Sequence, residues 1–168
     1  PVNISERFSV RNYQFTKYFQ STVNNQFNQI MEKINCIIID DEPLGRDLVE
    51  SFAKEISYLN ILGIFENPLT ALSFLEENPV DLVFSDIEMP KINGLDFLRT
   101  LENPPVFIFI TAYREFALDG FDTGATDYLV KPVRFDRFLK AVQKAKKHID
   151  LKKNSSNLQN ENDKIFIK

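Results

Sequence analysis

The sequence predicts an α/β domain built on a parallel sheet. Three observations predict it. Five short apolar runs alternate with five stretches whose apolar residues recur at helical spacing, over about 117 residues. The runs are continuous rather than alternating in polarity, which is the pattern of strands buried on both faces. Four of them also end on a polar residue: Asp40-Asp41, Asp86, Thr111 and Lys131. In an open parallel sheet the carboxyl ends of the strands form the ligand crevice.

The elements follow in order. Ile34–Asp40 is a β-branched run and the first strand. Pro43 suits the first turn of a helix, in which Leu44, Leu48, Val49, Phe52 and Ile56 mark the apolar positions. Leu59–Phe65 is the second strand. Pro68–Glu77 is the second helix, with Leu69, Leu72 and Leu75 apolar and Asn78-Pro79 stopping it. Val80–Ser85 is the third strand, Gly94–Leu101 the third helix and Val106–Ile110 the fourth strand, after Pro104-Pro105. A fourth helix fits Arg114–Phe121, with Gly120 and Gly124 flanking its end. Thr126–Val130 is the fifth strand. Phe135, Phe138, Leu139, Val142, Ala145 and Ile149 mark a long last helix, whose Lys140, Lys144, Lys146 and Lys147 suit the negative end of its dipole.

Three regions are expected: an extension at 1–33, the α/β domain at 34–150, and a tail at 151–168. Nine of the first thirty residues are Asn or Gln. Phe15, Phe19, Val23, Phe27 and Met31 recur every four residues, so this segment is an amphipathic docking helix or an extension ahead of a natural start at Met31. Asn154–Asp163 reads as an Asn/Ser-rich linker, and Lys164–Lys168 as a strand without a partner, where a second domain would open.

Composition narrows the function. Apolar residues make up 43% of 168, enough for a packed core. A net charge of -4 and a pI near 5.1 argue against nucleic-acid binding by this fragment alone. The single Cys36 lies in an apolar run, so it reads as an inert buried thiol. One cysteine makes no internal disulfide, which fits a reducing compartment. No apolar run approaches the ~20 residues that span a bilayer, and no signal-peptide pattern opens the chain. The expected location is cytoplasmic.

The four polar strand ends carry a chemistry. When a phosphoryl group moves onto a carboxylate, two anionic partners meet. A divalent cation bridges them and neutralises the developing charge. Mg²⁺ takes oxygen ligands and keeps several waters. Asp41 and Asp86 are natural direct ligands, Asp40 acts through water, and the backbone carbonyl of Glu88 adds another. Lys131 pairs with phosphoryl oxygens, and the Thr111 hydroxyl hydrogen-bonds one of them. Each feature has a plainer reading on its own. Asp40-Asp41 can cap the helix after Pro43, Asp86 and Lys131-Pro132 can be turn residues, Thr111 can bond backbone, and Tyr128 can be a half-buried core aromatic. Their joint order at successive strand ends outweighs those readings.

Ile39-Asp40-Asp41-Glu42-Pro43, Ser85–Pro90 with Gly94, Ile110-Thr111-Ala112 and Asp127–Pro132 resemble the signature of the response-regulator receiver domain over about 70% of the chain. The resemblance implies a flavodoxin-like (βα)5 fold with sheet order 2-1-3-4-5 and helices on both faces. It implies phosphorylation of Asp86 by a sensor histidine kinase, with Mg²⁺ as cofactor and no enzyme activity beyond the domain's own phosphorylation and dephosphorylation. It implies that Thr111 and Tyr128 relay the phosphorylated state to the face of the fourth helix, fifth strand and fifth helix, and that a cis peptide precedes Pro132. Glu88 and Tyr113 vary within the family and are thought to tune phosphoryl loss. Tyr113–Phe121 and Gly124–Pro132 further resemble receivers of the LytTR class, whose effector is a mostly β DNA-binding domain, with Asp163–Lys168 as its opening strand. The expected output is homodimerisation, served by the mixed charges Arg114, Glu115, Asp119, Asp122, Asp136, Arg137 and Lys140, and transcription control through that missing domain.

Two other functions compete. A Mg²⁺-dependent phosphatase of small molecules would use an aspartyl-phosphate, but that class puts its nucleophile on the first strand and needs a late acidic pair. A flavin-binding protein would need a Ser/Thr/Gly-rich phosphate loop after the first strand, where Asp40-Asp41-Glu42 repels an anion. His148, the single histidine, reads as solvent-facing on the last helix and gives no hint of a phosphorylated histidine.

Overall fold

The structure is a computed structural model that describes residues 32–113 and 124–165, with side chains as far as Ser155. The chain divides into Pro1–Lys33 and Ile34–Lys168. The aromatic stripe at Phe15–Met31 and the predicted fourth helix at Arg114–Phe121 lie outside the described residues.

Five strands, β1 (Ile34–Ile39), β2 (Leu59–Phe65), β3 (Leu82–Asp86), β4 (Val106–Thr111) and β5 (Asp127–Val130), form one sheet in the order β2-β1-β3-β4-β5. Every pairing is parallel. The described helices are α1 (Pro43–Lys54), α2 (Pro68–Glu77), α3 (Gly94–Thr100) and α4 (Phe135–Ile165). This is the flavodoxin-like order of a doubly wound sheet.

Strand alternation splits the core into two layers. Cys36, Ile38, Phe84, Ile108 and Ile110 face one side and meet Val49 and Ala53 of α1 and Phe138, Ala141, Val142 and Ala145 of α4. Ile37, Ile39, Val83, Phe107 and Phe109 face the other side and meet Ala71 of α2 and Phe97 and Leu98 of α3. Phe84 stacks on Phe138 with centroids 5.0 Å apart, locking α4 to the middle of the sheet. Each buried Val, Ile, Leu or Phe among them contributes roughly 1.5–3 kcal/mol. The helix starts are local chemistry. Pro43 and Pro68 open α1 and α2, and Asn67 and Asn93 cap α2 and α3 by accepting the amides of Thr70 (3.0 Å) and Asp96 (2.8 Å).

Some expectations fail. Leu44 and Leu48, placed on the apolar face of α1, are 83% and 38% exposed, while Val49 and Ala53 turn inward. Leu69 is likewise exposed, and Pro68 and Ala71 take the buried positions of α2. Helical spacing marks a stripe, but the crossing of the helix over the sheet decides which side of it is covered. Ile56 is buried, yet lies beyond the end of α1. Asn154–Asp163, read as a linker, is helical, and α4 runs through it and into Lys164-Ile165, where a strand was expected. Extending a packed helix costs little per residue even where Asn and Ser lower propensity. His148 is exposed, but its Nδ1 lies 2.9 Å from the buried Thr126 hydroxyl.

Candidate functional site

β1 and β3 are neighbours, with Ile39 beside Ser85, so Asp40 and Asp86 leave the sheet side by side. A carboxylate oxygen from each of Asp40, Asp41 and Asp86 lies within 4.8 Å of the others. Asp40 and Asp86 are 2% and 6% exposed, and Asp41 faces solvent. These are three hard oxygen donors in one small volume, the donor set that Mg²⁺ prefers.

Lys131 enters from the end of β5. Its Nζ donates to Asp86 Oδ2 (2.7 Å), Asp40 Oδ2 (3.1 Å) and Glu42 Oε2 (3.3 Å). Backbone amides take the other oxygens: Glu42 donates to Asp40 Oδ1 (2.8 Å) and Glu88 to Asp86 Oδ1 (3.1 Å). Asp40 therefore folds back onto the Glu42 amide. The N-cap of α1 is Glu42, and no side chain caps that helix. The Glu88 amide thus holds Asp86 from the loop that follows β3.

Burial pushes the Asp40 carboxyl above its usual range. The Glu42 amide and Lys131 pull it down, but not all the way, and Asp86 raises it further. Burial acts to lower the Lys131 ammonium, but the bonds and charges of Asp86 and then Asp40 outweigh it and hold the lysine above its ordinary value. Burial is thus the main reason that Asp40 stays raised, and its bonds offset it only in part.

Thr111 ends β4 one residue past Ile110, the register partner of Asp86. It is fully buried, its hydroxyl accepts the Tyr113 amide (3.2 Å), and its carbonyl accepts the Lys131 amide (2.8 Å). Tyr128 on β5 is half-buried, with its ring 5.6 Å from that of Phe109. The Lys131-Pro132 peptide is cis. The sequence-predicted residues Asp40, Asp41, Asp86 and Lys131 thus meet directly, while Thr111 and Tyr128 stand on the adjoining strands.

Sequence reasoning missed three supports. Arg46 Nη1 donates to the Asp40 carbonyl (2.6 Å) from the first turn of α1. Gly45 leaves room for the Asp40 carboxylate, which a Cβ there would strike. Gly94, noted only as part of a motif, is needed because a Cβ would meet the Asp86 carbonyl and the Phe109 ring (2.9 Å). The only sequence signal for Gly45 and Arg46 was their place on the turn after Asp40-Asp41. Lys91, in the loop after Asp86, adopts φ 73°, a left-handed conformation that costs a non-glycine residue energy. Cys36 is fully buried, and burial pushes its thiol up to about 12, so it is inert as expected.

An open parallel α/β sheet with an acidic, lysine-bridged crevice at its carboxyl end defines the class. Residues 36–143 match the response regulator receiver domain, and the chain belongs to that family, which acts in two-component signalling. An uncharacterized response regulatory protein of Shewanella oneidensis is 38% identical over 119 residues, covering 69% of this chain and 50% of that protein. The transcriptional regulatory protein BtsR of Escherichia coli is 37% identical over 102 residues, covering 60% of this chain and 43% of that protein. The crystal structure of the response regulatory domain of MrkE from Klebsiella pneumoniae matches with a TM-score of 0.63 at 30% identity, covering 70% of this chain and 99% of that one. The chain spans about half the length of the curated relatives it matches. No helix among the described residues is long and apolar enough to cross a membrane.

Proposed function

We propose that Asp86 accepts a phosphoryl group from a sensor histidine kinase and that the domain is the phosphorylation switch of a LytTR-class transcription regulator. The observation that carries this reading is the Lys131 ammonium bridging Asp86 and Asp40 beside Asp41. Asp86 stands at the carboxyl end of β3 with its Oδ2 2.7 Å from that ammonium. Its carboxylate oxygen forms the bond to phosphorus while the bond from phosphorus to the donor imidazole nitrogen breaks, and the leaving imidazole takes a proton from solvent. Lys131 transfers its bonds from the carboxylates to the phosphoryl oxygens, so the charge it neutralises is present before and after the step. Asp41 and Asp86 would hold a Mg²⁺, with Asp40 behind them through water; when bound, the ion neutralises the charge shared by the carboxylates and the phosphoryl oxygens. The Thr111 hydroxyl turns to a phosphoryl oxygen, and the Tyr128 ring moves inward toward Phe109. Hydrolysis of the acyl phosphate by the same residues resets the switch, and no other substrate is turned over.

The output follows from these movements. The face around β5 and α4 pairs with a second copy, and a DNA-binding domain beyond this chain reads the change. The half-length match to BtsR, a transcriptional regulator, supports that assignment.

Intact-mass measurement after incubation with acetyl phosphate and Mg²⁺ tests the chemistry. One phosphoryl group on the wild type and none on Asp86→Asn is expected. Labelling of the variant, or steady turnover of small phosphoesters, would overturn the reading in favour of another acceptor or a phosphatase.

A further inference from the structure

Arg137, in the first turn of α4, reaches back over the loop that carries Lys131. Its Nη1 donates to Asp127 Oδ2 (2.9 Å), and its Nη2 donates to Asp127 Oδ1 (2.6 Å) and to the Tyr128 carbonyl (3.1 Å). The sequence placed Arg137 and Asp136 among the charges of a symmetric interface. In the structure the Arg137 fork is engaged within its own chain, and Asp136 pairs with Arg134 at 3.0 Å.

These contacts close a ring. Asp127 and Tyr128 stand on β5, Arg137 stands on α4, and Lys131 lies between them. On its sheet side the loop is held by the Lys131 amide on the Thr111 carbonyl (2.8 Å). On its outer side Asp127, Tyr128, Val130, Pro132, Arg134 and Arg137 line an open groove of about 380 Å³. The buried Val133 anchors the core side of the loop, and on the groove side the guanidinium joins Asp127 and Tyr128 of β5 to α4. Burial acts to raise the Asp127 carboxyl, but the Arg137 bonds and the Tyr128 amide outweigh it and hold the carboxyl below its usual range. Only an arginine fork meets both carboxylate oxygens and the carbonyl at once.

We propose that the Asp127–Arg137 clasp is a positioning element of the switch. It holds the Lys131 loop shut on β5, so that the ammonium meets the phosphoryl oxygens and the Tyr128 main chain moves with the loop. This rests on the reading of Lys131 as the phosphoryl partner. The clasp lies outside the carboxylate cluster, so it acts on the anion and not on the cation.

The test uses the whole 168-residue chain. Mg²⁺ affinity, and then beryllofluoride affinity at saturating Mg²⁺, are measured by calorimetry for wild type, Arg137→Met and Arg137→Lys. Arg137→Met should bind Mg²⁺ as the wild type does and bind beryllofluoride about tenfold more weakly, the scale of one charge-assisted hydrogen bond. Arg137→Lys, with one donor group and no fork, should fall between the two. If Arg137→Met fails to fold, Asp127→Asn takes its place, with the same split and a smaller loss. Equal beryllofluoride affinity in variant and wild type overturns the inference, and so does a parallel loss of Mg²⁺ and beryllofluoride, which marks a purely structural contact. A wild type that binds neither defeats the acceptor reading itself and this inference with it.

Discussion

Two basic residues flank the same cis-proline loop and do opposite things. Lys131 is a point charge shared among Asp86, Asp40 and Glu42, none of which it satisfies alone. Arg137 is a fork committed to Asp127 and the Tyr128 carbonyl. The carboxylates respond accordingly: Asp40 is held above its usual range by burial, and Asp127 below it by Arg137. A shared lysine can release one anion for another at little cost, whereas a bidentate arginine cannot. Under the proposed mechanism, the difference would separate the residue that exchanges partners from the one that holds the loop.

The largest expected break in this comparison is Lys131→Met. Without metal it leaves buried carboxylates uncompensated and should cost about 2 kcal/mol, less than a fully buried pair because the lysine is 21% exposed. Millimolar Mg²⁺ should restore most of that in a urea titration, since the ion replaces the missing charge. Arg137→Met should cost about 1 kcal/mol, discounted because its side chain is 43% exposed. Mg²⁺ should restore none of it. Equal rescue of both variants would erase the distinction.

The pH dependence separates the two carboxylates by sign. Asp127 has a depressed folded value, so its contribution is complete above the unfolded Asp value of about 3.9 and is lost as pH falls through the folded one. The stability gap between wild type and Asp127→Asn should therefore close below about pH 4. Asp40 has a raised folded value, so its cost appears as pH rises from about 4 through that value. In EDTA at neutral pH, Asp40→Asn should be more stable than wild type by about 1 kcal/mol, and the gain should vanish in acid. Thermal melts across pH 3–8 read both, and a shared sign would refute the contrast.

Much of this molecule was legible in its sequence. β1, β3 and β4 are continuous apolar runs because both faces of the sheet are covered, and that pattern reads without a structure. Asp40, Asp41, Asp86 and Lys131 were legible because each stands at the point where such a run stops. The tail was not. Asn and Ser at 154–162 lower helix propensity, but α4 enters them already anchored by Phe138, Val142, Ala145 and Ile149. Leu44 and Leu48 fit the periodicity of α1 yet face outward, because spacing fixes a stripe and not its cover.

What the sequence determined by itself was local: which runs are strands, where they end, and which chemistry each end offers. Tertiary structure decided the partners. Lys131 meets Asp40 across 91 positions because the sheet order puts β1 between β2 and β3, not because of anything written near either residue. Gly45, Gly94 and Arg46 matter only once the carboxyl ends of β1 and β3 lie against the first turns of α1 and α3. That Arg137 meets Asp127 and the Tyr128 carbonyl was likewise decided by packing, which brings the first turn of α4 back against β5.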